Sequence, residues 1–128
     1  MSDYTNATSQ AAMSAEFARA ATLFDRIIID DFFFTDDTSP DSVAARAKGS
    51  VTVFPDAHNG LASALTVPLR VISDPSCDNV NPTPGLCDWE AYRTAQMLAL
   101  GVHNALGAAR RANPKCKIIL KYPNWYDS

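Results

Sequence analysis

Arg26-Ile27-Ile28-Ile29-Asp30-Asp31-Phe32-Phe33-Phe34-Thr35 is an apolar run that carries two adjacent carboxylates. A second run, Cys116-Lys117-Ile118-Ile119-Leu120-Lys121-Tyr122-Pro123-Asn124-Trp125-Tyr126, ends in a cluster of polar and aromatic side chains. Ile27 to Phe34 is apolar on both faces apart from the two aspartates. That fits a parallel strand buried on both sides better than a half-exposed antiparallel one. Both runs put their chemistry at the C-terminal end of a strand, the edge where parallel α/β folds carry their active sites.

Working outward from these strands, residues from about Ser9 to Phe24 are Ala-rich and free of Gly and Pro. Met13, Phe17, Ala20 and Phe24 fall at helical spacing, so a helix with a narrow apolar stripe is expected there. Ser39-Pro40-Asp41 reads as a helix start: a hydroxyl N-cap, proline at the first helical position and an acid against the dipole. Lys48-Gly49 is the matching stop. Asp88 opens a long helix whose apolar face is Tyr92, Ala95, Ala99, Val102, Leu106 and Ala109. Arg110 and Arg111 favour its C-terminal dipole, and Asn113-Pro114 ends it.

Helix, strand, short helix, insertion, long helix, strand is the resulting order. A strand, a helix and a second buried strand imply a right-handed crossover in a parallel sheet. The fold class is therefore α/β. A (β/α)8 TIM barrel typically needs about 250 residues, so the chain accounts for about two βα units of one, with an irregular insertion at about 50–87. Val51 to Phe54 and Leu65 to Ile72 have β-like content within that insertion. They support a hairpin or an irregular excursion, with too weak a pattern to be expected to close a core. Standing alone, such a piece is expected to be inactive and poorly stable.

Hydrophobic residues make up 47% of the 128 residues, which excludes a disordered composition. The formal net charge of −3 gives no electrostatic reason to expect nucleic acid or an anionic membrane as partner. No window approaches the roughly 18 apolar residues of a membrane span. Met1-Ser2-Asp3-Tyr4-Thr5-Asn6 lacks the basic and apolar regions of a signal peptide, which leaves the compartment open. Of the three cysteines, Cys77 and Cys87 enclose a Pro/Asn/Gly-rich loop and would be bonded only in an oxidising compartment. Cys116 reads as a free buried thiol. No Cys/His spacing indicates a metal, and no Gly-rich phosphate loop or Ser/Cys nucleophile motif indicates a cofactor or acyl chemistry. His58 and His103 lack partners at useful spacing and read as structural or solvent-facing.

Asp25 to Thr35, Trp89-Glu90-Ala91-Tyr92-Arg93, Ala109 to Pro114 and Lys121 to Tyr126 together resemble a group of largely uncharacterised fungal and bacterial TIM-barrel proteins similar to glycoside hydrolases. The resemblance covers about residues 9–49 and 88–128, and it implies a carbohydrate substrate. In such a barrel the two strands would be interior ones. The stretch 50–87 departs from the group, whose short helix leads almost directly into the Trp-x-x-Tyr-Arg helix. It is either a loop at the active-site edge, tied by Cys77 and Cys87, or translated non-coding sequence.

The candidate catalytic residues are Asp30, Asp31 and Lys121, and the candidate substrate-binding residues are Tyr122, Asn124 and Trp125. Asp30 and Asp31 are adjacent on a strand, so only one can face a barrel lumen. They are not themselves an acid/base pair, because glycosidase carboxylates sit across a substrate, about 5–5.5 Å apart when retaining and 6.5–9.5 Å when inverting. Lys121 on the lumen side would pair with an aspartate of the first strand and lower its pKa. Trp125 offers a face for sugar stacking, and Asn124 a hydrogen-bonding group. Each also has a plain reading: a loop cap, a structural ion pair, or loop packing. A barrel that binds glycan without cleaving it, or that only scaffolds, is the alternative for the whole.

Overall fold

The computed structural model describes residues 4–30, 39–68 and 95–121. Helix α1 (Ala7–Leu23) leads into strand β1 (Arg26–Asp30), and helix α2 (Pro40–Ala47) into strand β2 (Ser50–Val53). Strand β3 (Leu65–Pro68) follows, then helix α3 over residues 95–112, then strand β4 (Lys117–Lys121).

α1 begins where Asn6 caps it, its side chain accepting from the Ser9 N–H at 2.9 Å. It ends at Phe24, which is already extended. The buried positions are Gln10, Met13, Ser14, Ala18 and Ala21, with Phe17 half-buried, and they follow the 3.6-residue period. The expected stripe is corrected at its end: Phe24 is 60% exposed, because the chain has left the helix there and turned into β1.

α2 forms as its signals direct. The Ser39 hydroxyl accepts from the Ser42 N–H at 3.0 Å, and Pro40 occupies the first turn. Gly49 stops the helix with φ of 66°, a left-handed conformation that glycine adopts without Cβ strain.

β1 and β4 pair in parallel, Arg26 opposite Lys117 through to Asp30 opposite Lys121. The crossover between them contains α3, as expected for two strands joined through a helix. Their lower ends are bolted together. Asn113 donates from Nδ2 to the Ala21 carbonyl at 2.9 Å, satisfying an orphan acceptor in the last turn of α1. The buried Cys116 thiol donates to the Phe24 carbonyl at 3.4 Å, so it is the free buried thiol expected.

α3 is not a uniform α-helix. Residues 95–100 are α-helical, Gly101–Gly107 form a π-helical stretch, and Ala108–Ala112 return to α. The buried positions therefore run 95, 99, 104, 108 and 96, 100, 105, 109, skipping one extra residue across the wide turn. This corrects the expected stripe: Val102 is rotated outward and is 51% exposed, while Asn104 and Ala105 are buried. Gly107 makes the wide turn possible, since a Cβ there would lie 2.8 Å from the Val102 carbonyl oxygen.

β2 and β3 form an antiparallel hairpin, Ser50 opposite Pro68 and Val53 opposite Leu65. Its inward residues join a core cluster with Met13, Ala95, Ala99, Leu100 and Ala105, and Val53 is fully buried. The expectation that the hairpin would not help to close a core is thus corrected; Val51 and Val53 alternate with Ser50 and Thr52 and give the strand one apolar face. Gln10 fixes the hairpin to α1 like an added strand. Its Nε2 donates to the Thr52 carbonyl at 2.8 Å, and its Oε1 accepts from the Phe54 N–H at 2.9 Å.

A second cluster, Ala21, Ala109 and Cys116 with Phe17, Ile27 and Ile118, joins the last turns of α1 and α3 to the parallel sheet. Each helix precedes its strand and packs back on it, so the first turns of both helices, and the hairpin on them, lie toward the end where β1 and β4 finish. Cys77 and Cys87 lie outside the described residues. No described helix is long and apolar enough to cross a membrane.

Candidate active site

The C-terminal ends of β1 and β4 are built from β-branched runs, Ile27–Ile29 and Ile118–Ile119, which favour extended backbone. One face of this pair meets the helices: Ile29 is buried, and Ile27 and Ile118 pack on the Ala21–Ala109–Cys116 cluster. The other face is open. Ile28 and Ile119, directly opposite each other in the ladder, are 63% and 45% exposed. Lys121 shares the Ile119 face by alternation and is exposed.

The last ladder pair is Asp30 opposite Lys121. Neighbouring strands run about 4.8 Å apart, so the fold brings the backbone positions of an acid and a base together at one sheet edge. These are two of the six residues singled out from the sequence. Asp31, Tyr122, Asn124 and Trp125 lie outside the described residues. The clamps at Asn113 and Cys116 sit at the opposite end of the same two strands, so scaffold contacts and candidate chemistry are separated along the strand axis.

His58 is exposed, its backbone N–H donating to Asp56 Oδ1 at 2.6 Å, and His103 is half-buried on α3. Among the described residues no group of three His, Cys, Asp or Glu side chains could hold a metal ion.

A recess of about 330 Å³ was not anticipated from the sequence. It lies between α2 and β2 at the start of α1. Asp41, Ala44, Ala45 and Lys48 line one wall, and Ser50, Thr52 and Phe54 another. The helical spacing of the first four was visible in the sequence. That the strand starting at Ser50 would fold back against them was not, because it depends on the tertiary contact of Gln10 with β2.

All 128 residues match the family model described as probable glycosyl hydrolase, catalytic domain. The chain belongs to this family. No curated protein and no solved structure matches it. For a glycosyl hydrolase catalytic domain the substrate class is carbohydrate. The match spans the stretch 50–87 as well as the two strand-end motifs. In this glycosyl hydrolase domain the first part of that stretch is an ordered hairpin packed on α1 and α3.

Proposed function

We propose that β1 and β4 are neighbouring interior strands of a (β/α)8 glycoside hydrolase barrel, and that the Asp30–Lys121 edge belongs to its catalytic face. The observation that carries this reading is the parallel register ending on that acid–base pair, next to an open sheet face. Helices cover one face of the pair, as the outer ring covers a barrel. Ile28 and Ile119 occupy the face that would line the lumen. Alternation puts position 30 on the same face as Ile28, and so favours Asp30 over Asp31 as the lumenal carboxylate.

An ammonium at the neighbouring register position favours the ionised form of a carboxylate. Asp30 would therefore act as nucleophile or as stabiliser of the developing oxocarbenium ion, rather than as the proton donor to the leaving group. The general acid would come from another strand. Tyr122, Asn124 and Trp125 follow Lys121 directly and would bind the sugar. Trp125 would stack on its apolar face, and Asn124 would hydrogen-bond its hydroxyls.

The test is made in a homologue carrying the whole barrel, at the aspartates aligned with Asp30 and Asp31. Replacing the first with Asn is expected to lower kcat by at least about 100-fold on its glycan, and replacing the second to do much less. If the doubly substituted enzyme hydrolyses and binds glycan as before, the assignment fails.

A further inference from the structure

We propose that the recess between α2 and β2 is an accessory carbohydrate-binding site for one neutral sugar unit, separate from the Asp30–Lys121 edge. The proposal rests on the carbohydrate reading above for its ligand class, and on the recess itself for its location. At about 330 Å³ it falls at the lower end of the range of small-molecule sites, roughly 300–1,000 Å³.

Its two walls are chemically distinct. On α2, Asp41 and Lys48 stand at either end of one helix face, about 10 Å apart along the axis, with Ala44 and Ala45 as a flat floor between them. On β2, Ser50, Thr52 and Phe54 share one side of the strand by alternation, and all three are half-buried. A carboxylate that accepts from hydroxyls, an ammonium that donates to them, two side-chain hydroxyls and one aromatic ring form a set that suits a pyranose. Such a ring presents hydroxyls at its rim and an apolar C–H face. The opposed charges of Asp41 and Lys48 on a single face disfavour a simple anion or cation and favour a neutral polar guest.

The recess also sits where a glycan would pass. It opens at the first residues of α1, and α1 packs back on β1 from Phe24. The recess is therefore at the end of the molecule where β1 and β4 finish, displaced outward from the sheet edge. A chain several sugars long held at the edge would present a distal unit toward it.

The experiment is a titration of the ¹⁵N-labelled 128-residue chain with cellohexaose, xylohexaose, laminarihexaose and chitohexaose in turn, at millimolar concentration, followed by amide chemical shifts. At least one sugar is expected to move the amides of residues 41–48 and 50–54. Ala44→Trp, which fills the floor from an exposed position, is expected to abolish those shifts. The double variant Asp41→Asn/Lys48→Met, altering only exposed side chains, is expected to weaken binding at least about tenfold, through loss of two charge-assisted hydrogen bonds. Three results overturn the proposal: no shift at these amides with any of the four sugars, the same shifts in Ala44→Trp, or shifts there with inorganic phosphate and none with sugar. Failure here leaves the Asp30 and Asp31 substitutions free to succeed, and their failure leaves binding at the recess to be seen, so the two readings fall separately.

Discussion

Two buried glutamines show opposite ways of holding an amide in this core. Gln10 has both ends of its side chain engaged with backbone, donating to the Tyr4 and Thr52 carbonyls and accepting from Phe54. Gln96 is equally buried, yet neither its Nε2 nor its Oε1 has a hydrogen-bond partner among the described residues. Leaving a buried polar group unpaired costs about 1–3 kcal/mol, whereas an apolar replacement of similar shape removes that cost. Gln10→Ala is therefore expected to destabilise the chain by about 2–4 kcal/mol, since it orphans the Thr52 carbonyl and the Phe54 N–H. Gln96→Leu is expected to stabilise it by about 1–2 kcal/mol. Urea denaturation of both variants checks the pair, and a loss of stability in Gln96→Leu would show that its amide is satisfied in solution. The role of Gln10 was not legible in the sequence, because nothing local to a polar residue in an Ala-rich helix reveals a strand 42 positions away. Of the candidate site, the parallel pairing of the two runs was legible from their buried apolar pattern, and the ladder sets the backbone of Lys121 opposite that of Asp30.

At the level of elements, α3 shows where periodicity misleads. The sequence supports a straight α-helix, with Ala95, Ala99 and Ala109 on its inner face, and those three are buried. Between them the π-helical turn adds a residue, carrying Val102 outward and Asn104 inward to donate to Ser14 Oγ at 2.9 Å. Spacing alone does not signal an inserted residue when alanines dominate both possible faces. Gly107 was the available clue. In an ordinary helix Gly→Ala gains about 1 kcal/mol. Here the added methyl would meet the Val102 carbonyl oxygen at 2.8 Å, so Gly107→Ala is expected to lose about 1–2 kcal/mol instead. The denaturant midpoint reads the sign directly, and a rise would mean that the wide turn gives way to regular α-helix. α2 was legible because its start signal is local: Ser39 accepts from the N–H three residues on. For α1 the apolar spacing marks a helix only from about Ser9 and leaves out its first residues, which Asn6 caps by accepting from the Ser9 N–H.

For the molecule as a whole, the hairpin is an integral part of the core, although its sequence pattern is short and its outer strand is largely exposed. Val53 carries that packing, so Val53→Ala is expected to cost about 2–3 kcal/mol, measured as a fall in the thermal midpoint. An unchanged midpoint would show the hairpin to be detachable. The contacts that close the fold span most of the chain: Asn113 to Ala21 and Cys116 to Phe24 each join residues 92 positions apart. This separation has a kinetic consequence. The hairpin and the helices can form from neighbouring residues on fast local timescales, but the parallel ladder has to wait for the two ends of the described chain to find each other. Until they do, Ile27–Ile29 and Ile118–Leu120 are bare strand edges in water, open to pairing with other chains. The residues that present the candidate catalytic edge are thus the last to be assembled, and yield on refolding should fall as protein concentration rises.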